Sequence, residues 1–560
     1  MPTLNLNSYT PRSEIIMQQP MSITQNQREP KIVLVACPYS DDDYMTREDI
    51  AIDDLGLGYL YSALVDKGFS VTLIDSLRPT SWFISPFLEL EDRILELKPD
   101  YIGFSDPSVT FTKSLSLSRR LNEKLPDLVV IYGDIHPSLF NKEILENEPH
   151  VDYIICGEGE KSLPLLIEAL ENQQFIKDIP GLTYRENGVI KETPPYFEKN
   201  LDSLSFPYRP SLAKADVKNP FYYNIISSRG CPGHCTFCSM STFLNRFCPG
   251  GTARWRARSA ENVFEEMNLL YQKGVRQFLF FDDNWIGERE TGLKRALKLC
   301  DLLIENGLSD ISFSALMRPD SLLPTDRNAL IKMKRAGLSS INMGLEAGNQ
   351  FQLNIFGKKY DTNQVKDLTN LIFETGIMMR AGFIMFFPYS TFEMLRENAR
   401  FLHDAGLSSL FEIYCGNLVP FSATAIETRL KKDNLLERST TYNSPGVYLY
   451  QNDRIEDLQR FMLSKVLPER QFVYELLTVG TSASRCSRNG EPCFRQFQAI
   501  LKRVGEASHA LFEFSIDIFE SATTVTEAIR ICSRYSQHWL KVLETEKRSV
   551  AEFKTRLPVY

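Results

Sequence analysis

Three thiols crowd into eight residues at Cys231-Pro232-Gly233-His234-Cys235-Thr236-Phe237-Cys238, directly after an apolar run, 221–226, that reads as a strand. The spacing C-x3-C-x2-C is too tight for a disulfide framework. It suits a soft metal centre in which each thiolate takes one iron corner of a 4Fe–4S cluster, leaving the fourth iron open for chemistry. Zinc is the competing reading, with His234 as its nearest fourth ligand. But His234 lies between two of the cysteines, too cramped to close a tetrahedron, and no second C-x2-C pair follows. Cys37, Cys156, Cys248, Cys300, Cys415 and Cys532 are scattered, most of them in apolar runs, and read as small buried hydrophobes. Cys486 and Cys493, beside a Gly-Glu-Pro turn, are the one remaining pair placed for an auxiliary site.

The chain has 560 residues, enough for roughly three to four domains. Its 43% hydrophobic and 24% charged residues are ordinary for a globular protein. A net charge of −8 argues against a nucleic-acid partner, which needs a basic surplus. No apolar run reaches membrane-spanning length and no charged-then-apolar leader opens the chain, so a reducing cytoplasm is expected, as an oxygen-sensitive cluster requires. Residues 1–29, rich in Asn, Gln, Ser and Pro, read as a disordered tail.

Around the cysteines, residues 201–430 alternate strand and helix six times. After 221–226 the predicted strands are 277–281, 311–318, 340–348, 379–386 and 410–414, which implies a partial (β/α)6 TIM barrel with its chemistry at the C-terminal strand ends. The cysteine spacing, the aromatic Phe237 before the third cysteine, and Gly344-Leu345-Glu346-Ala347-Gly348 resemble the radical SAM enzymes over this whole span. The resemblance implies that Cys231, Cys235 and Cys238 hold the cluster, that its open iron chelates S-adenosyl-L-methionine (SAM), and that reduction yields a 5′-deoxyadenosyl radical. It puts Phe237 by the adenine. Asp282, Asp283 and Glu346 suit the SAM amino group or ribose, and Arg318 its carboxylate. Two segments depart from the family. Phe386-Phe387-Pro388-Tyr389-Ser390 stands where Gly-x-Pro-Gly-Glu is usual, and Ala423-Thr424 where Gly-Thr is usual. The lost glycines predict a bulkier, more apolar cavity wall.

Residues 30–200 alternate strand and helix five times, with strands near 31–36, 70–75, 101–105, 128–132 and 153–156. They predict an N-terminal doubly wound parallel sheet, Rossmann-like and ligand-binding at its strand ends. No G-x-G-x-x-G follows the first strand, which disfavours a dinucleotide. The order of elements, Leu55-Gly56-Leu57-Gly58 and the turns 133–137 and 157–160 resemble the cobalamin-binding domain found upstream of many radical SAM barrels. That resemblance places a corrin against Pro38, Tyr39, Ser105, Val109, Gly133, Asp134, His136, Gly157, Glu158 and Gly159. The D-x-H-x-x-G motif of other cobalamin domains is absent, so His136 is not expected to ligate cobalt.

Residues 431–560 form an α-helical C-terminal domain by pattern, with no further cysteine-rich module; in the family such a region caps the barrel. The whole is similar to cobalamin-dependent radical SAM enzymes, with a 4Fe–4S cluster, SAM and cobalamin as implied cofactors. The leading function is C-methylation of an unactivated carbon through the 5′-deoxyadenosyl radical and methylcobalamin. A cyclase or ring-rearranging enzyme is the alternative, and a non-catalytic cobalamin or iron–sulfur sensor the remote one. Expected partners are a small-molecule, lipid or peptide substrate and an electron donor of the flavodoxin or ferredoxin type; no catalytic acid or base is singled out.

Overall fold

Strands apolar on both faces, such as Ile32–Ala36, must be covered from both sides, and parallel sheets with helices above and below do this. The computed structural model of the protein describes residues 29–37, 50–51, 53–75, 86–213, 222–248, 254–308, 310–489 and 492–557. Pro38 and Tyr39 lie outside the described residues. Two compact units divide the chain: one covers 53–197 and 203–215 with Ile32–Ala36, and the other covers 216–560 with 198–202 and 48–52.

The first unit holds a seven-stranded sheet in the order Val71–Asp75, Ile32–Ala36, Tyr101–Ser105, Val129–Gly133, Tyr153–Ile155, Leu182–Glu186, Val189–Glu192. The first five strands run parallel in the chain order 2-1-3-4-5, so the topological switch falls between Ile32–Ala36 and Tyr101–Ser105. The last two form an antiparallel hairpin that the sequence analysis did not assign. Its turn is Asn187–Gly188, both at positive φ (52° and 77°), the conformation a two-residue hairpin turn demands. The stretch after Gly133, read as a turn, is a short helix, Ile135–Leu139, capped by Asp134.

In the second unit, six parallel strands lie in the order Met378–Phe383, Leu338–Glu346, Ser312–Met317, Gln277–Phe280, Tyr222–Ile225, Ile50–Ala51. The sixth strand therefore differs from the expected one. Residues Phe411–Cys415 form a 3-10 turn, and Ile50–Ala51 pairs instead with Tyr222–Tyr223. Phe411, Ile413, Tyr414 and Cys415 are all buried, and an unbroken apolar run does not itself distinguish strand from helical turn. Along the fourth barrel strand (Leu338–Glu346) burial alternates from Ser339 onward. Ile341, Met343 and Leu345 are buried, while Ser340, Asn342, Gly344 and Glu346 are half-buried on the opposite, lumen face. Arg380 and Gly382 continue that face on the fifth strand (Met378–Phe383). Helices Asp453–Val466, Arg470–Cys486, Cys493–Ser521 and Val525–Thr555 pack in the same unit, with Trp539 edge-on to Phe411 and Phe512 edge-on to Phe386. Cys486 and Cys493 are paired as a disulfide. No helix among the described residues is long and apolar enough to cross a membrane.

Candidate functional site

The first barrel strand leaves the sheet at Ile225, and the chain then turns through Ser227 and Ser228 under the control of Asp282. That carboxylate is 3% exposed; Oδ1 accepts from the amides of Ser227 and Ser228, and Oδ2 from the Ser227 hydroxyl, each at 2.7 Å. Burial raises its pKa, while Arg295 and these hydrogen bonds pull the other way. Asp282, expected at the SAM amino group, thus spends its oxygens on the main chain that leads to the cysteines. Asp283 is exposed and accepts from the Gly230 amide at 3.1 Å.

Two glycines make room in the loop. Gly230 has φ +80°, and a Cβ there would lie 2.0 Å from the Arg254 carbonyl; a Cβ on Gly233 would lie 2.0 Å from Arg318 Nη1. Thr236 ties the loop to the short helix Gln350–Ile355, its amide donating to the Phe356 carbonyl (3.0 Å) and its hydroxyl to the Ile355 carbonyl (2.7 Å). Cys231, Cys235 and Cys238 are half-buried free thiols. Burial pushes the thiols of Cys231 and Cys238 up, the latter to about 11, a shift that bound iron reverses by binding thiolate. Phe237 stands edge-on to Phe356 at 5.1 Å. The His234 side chain is exposed. Among the described residues no three His, Cys, Asp or Glu side chains converge on a single metal ion. A cluster has no such requirement, because its ligands sit on separate iron corners. Three soft donors on a glycine-relieved loop, with cations beside them, fit that group.

Those cations are Arg318, Lys358 and Arg254. Arg318 lies against the loop, with Nη1 3.6 Å from Cys235 Sγ, and is forked onto Asp320 at 2.8 and 2.6 Å. Glu346 ends the fourth strand at φ +65° and accepts from the buried Lys358 ammonium at 3.2 Å. Burial works against the charge on Lys358, but Glu346, and then Cys235, hold its pKa above the ordinary value. Arg254 is 8% exposed and, among the described residues, meets only neutral acceptors, the Asn245 side chain (2.6 Å) and the Gly233 carbonyl (2.9 Å), with no partner for Nε. Sequence reasoning missed Lys358 and Arg254, since neither sits in a recognisable spacing.

Phe386 and Phe387 are fully buried, Phe387 against Phe356 and Tyr389, so their bulk goes into the core. Ala423 has a left-handed backbone, φ +57°, a conformation that favours glycine.

At the strand ends of the N-terminal sheet the polar groups turn inward. Asp106, next to the topological switch, is 0% exposed; Oδ1 accepts from the Thr110 hydroxyl at 2.7 Å and Oδ2 has no hydrogen-bond partner. Burial pushes its pKa up to about 7, against the Ser114 and Thr110 hydroxyls. Cys37 is buried, and its thiol is raised by burial and by Asp106. Asp134 caps its own short helix through the Ile135 amide. His136 is buried between Phe111 and Phe140, with Nδ1 2.9 Å from the Ser108 hydroxyl, and is not presented as a cobalt ligand. The room at Gly157 and Gly159 is taken by the chain itself, since a Cβ would meet the Tyr196 carbonyl at 3.3 Å and Leu60 at 2.8 Å. Glu158 precedes the helix Gly159–Glu171 as its N-cap. What remains outward is half-buried Ser105, Gly133, where an added Cβ would meet nothing nearer than 3.8 Å, and Val109 at 64% exposure. That neutral shelf fits the uncharged face of a macrocycle.

A parallel barrel with three free thiols on its first strand-end loop, preceded in the chain by a 2-1-3-4-5 sheet, defines an iron–sulfur enzyme with a second ligand-binding domain. The chain belongs to the radical SAM enzymes that carry a cobalamin-binding domain: residues 225–402 match the radical SAM superfamily and 51–167 the B12 binding domain. Its cofactors are a 4Fe–4S cluster, SAM and cobalamin. An uncharacterized methyltransferase of Pyrococcus horikoshii is 28% identical over 62% of this chain and 72% of its own length. An anaerobic magnesium-protoporphyrin IX monomethyl ester cyclase of Synechocystis is 28% identical over 61% and 65%. The chain thus spans just under two thirds of that cyclase. In fold it is like the cobalamin-dependent S-adenosylmethionine radical enzyme OxsB, solved with aqua-cobalamin and S-adenosylmethionine bound, with a TM-score of 0.70 at 18% identity over 94% of this chain and 80% of that one.

Proposed function

We propose that the protein transfers a methyl group to an unactivated carbon. The observation that carries this reading is the presence, in one chain, of the three-thiol barrel loop and a B12 binding domain, in company with a methyltransferase relative. The cluster supplies the electron that splits SAM to a 5′-deoxyadenosyl radical, and cobalamin supplies the methyl group.

The residues divide that work. Cys231, Cys235 and Cys238 hold the cluster. Arg318, already against Cys235, takes the SAM carboxylate; Glu346 and Asp283 take its amino group or ribose, and Phe237 packs by the adenine. Asp282 positions the loop rather than touching SAM. Ser105, Val109 and Gly133 give the corrin its shelf, with Gly157, Glu158 and Gly159 at its margin and Asp134 and His136 supporting from below. We assign 30–200 to cobalamin binding, 201–430 to the barrel and 431–560 to the cap, with a flavodoxin- or ferredoxin-type reductant in the cytoplasm.

The test is product analysis of the anaerobically reconstituted protein with reductant. S-adenosylhomocysteine and 5′-deoxyadenosine formed together support methyl transfer. The second reading, cyclisation or ring rearrangement, is supported by the equal 28% identity to the porphyrin cyclase; 5′-deoxyadenosine without S-adenosylhomocysteine would favour it instead.

A further inference from the structure

A polar cavity of about 360 Å³ lies where the fifth strand, at one edge of the barrel sheet, meets the turn Phe411–Cys415, lined by Asn342, Arg380, Ala381, Phe383, Glu412 and Gly416 among others. We propose that this cavity is a substrate subsite that binds an oxyanion, a carboxylate or phosphate, on the Arg380 guanidinium. The inference rests on the barrel being the reaction chamber, and it narrows the substrate class to anionic molecules.

A guanidinium carries five N–H donors in a planar fork matched to two oxyanion oxygens. Arg380 uses one of them, from Nη2 to Glu412 Oε1 at a long 3.4 Å; its guanidinium also stands 5.9 Å from the Tyr474 ring centroid, and its side chain is 43% exposed. Glu412 divides its charge, lying 3.6 Å from Arg470 through its other oxygen. Neither contact has the short bidentate geometry of a closed structural pair. Arg380 also sits on a strand whose outward neighbours, Met379 and Ala381, are buried, so alternation alone sends it inward. A lumen-facing cation held loosely in a cavity is poorly explained by stability, since an ion pair this exposed contributes little.

The cavity also has a path to the chemistry. Asn342 lies in register with Arg380, and Gly344 with Gly382, one step nearer the strand ends. A Cβ on Gly382 would lie 3.6 Å from Gly344 Cα and 3.8 Å from Glu346 Oε2. At Gly344 a Cβ would lie 2.5 Å from Glu346 Oε1, so the glycine pair lets the carboxylate assigned to SAM fold back along the strand toward Arg380. An anion seated on Arg380 would direct the rest of its molecule along this path, with Asn342 beside it to hydrogen-bond a neutral group.

Arginine labelling tests this without turnover. The full-length reconstituted protein is treated with phenylglyoxal, and modification of Arg380 is followed by peptide mass spectrometry in the presence of malonate, malonamide or inorganic phosphate. At an anion concentration four times its Kd, labelling of Arg380 should slow about fivefold, with no effect of malonamide. Protection by malonate alone indicates a carboxylate and by phosphate alone a phosphate; both outcomes support the subsite. Glu412→Gln, which removes the competing carboxylate, should lower the anion concentration needed. Equal labelling with and without either anion, in both the native protein and the variant, would overturn the proposal and leave Arg380–Glu412 as a wall contact. Formation of 5′-deoxyadenosine by the same preparation is measured separately, so loss of the radical chemistry is not mistaken for loss of the subsite.

Discussion

The strand ends of the two sheets solve opposite problems. Those of the barrel are charged: Asp283, Arg318, Glu346, Lys358 and Arg254 gather around three thiols, with Glu346 and Lys358 fixed by one another and the rest held by Gly230, Asp320 and Gly233. Those of the N-terminal sheet carry fewer outward charges: Asp106 and His136 are buried, half-buried Asp134 caps its own helix, and Ser105, Val109 and Gly133 stand outward, with half-buried Glu158 at the margin. A zwitterion such as SAM and an anionic cluster need fixed charges, since preorganised groups lose little on binding. A macrocycle face needs area without charge, where any buried ion would oppose it. The same topological position, the C-terminal ends of parallel strands, thus serves two ligand chemistries through which side chains point outward.

Removing a thiol is the harshest break of this contrast. Replacing Cys231, Cys235 or Cys238 by Ala should abolish the visible iron–sulfur absorption and 5′-deoxyadenosine formation while leaving corrin uptake intact, which anaerobic reconstitution with hydroxocobalamin and absorption spectra would check. A triple variant that still made 5′-deoxyadenosine would end the assignment.

The neutral shelf has a pH signature. Asp106 has a folded pKa raised to about 7 from an unfolded 3.8, so between those values the folded sheet keeps a proton that the unfolded chain has lost. Its stabilising contribution is complete below the unfolded pKa and is lost as pH rises through about 7, on the order of 2 kcal/mol between pH 5 and 8. Asp106→Asn should flatten that slope, read from hydrogen–deuterium exchange in Ile32–Ala36 and Tyr101–Ser105 across the range; an unchanged slope would show that Asp106 stays ionised. Val109→Glu is smaller in effect and more local. Val109 is 64% exposed, so the fold should survive, while a charge under the corrin should weaken its uptake by about 1–3 kcal/mol. Full corrin occupancy in this variant would remove Val109 from the shelf.

Much of this was legible because the signals are local. Apolar runs located the first five strands of each sheet to within about three residues, and the cysteine spacing located the loop. Long-range pairing was not legible: Ile50–Ala51, two residues without periodicity, closes the far edge of the barrel sheet, while 410–414, apolar throughout, turns rather than extends. The Asn187–Gly188 hairpin had a clear local signal and was passed over. At the site, the thiols were evident in the chain, but Asp282's commitment to Ser227 and Ser228, and the arrival of Lys358 and Arg254, depend on contacts between segments 12 to 55 residues apart. Spacing arguments do not reach that far.

Arg254 offers the finest test of the charged side of the comparison. A guanidinium 8% exposed, with only a side-chain amide and a carbonyl as acceptors among the described residues and no partner for Nε, is costly unless an anion stands near it. Its grip on the Gly233 carbonyl places it at the three-cysteine loop, where a bound cluster would supply that anion through its thiolates and added electron. For an illustrative separation of about 10 Å and an effective dielectric constant of about 20, one charge is worth about 1.7 kcal/mol, or about 70 mV for a one-electron couple. Arg254→Met should therefore shift the cluster midpoint potential to more negative values by tens of millivolts, and Arg254→Lys should restore most of it, in redox titrations followed by electron paramagnetic resonance. Asn245→Ala, which removes a neutral acceptor but no charge, should leave the potential where it is. If Arg254→Met and Asn245→Ala move it equally, the effect is one of packing, and the barrel's strand ends owe their tuning to Arg318 and Lys358 alone.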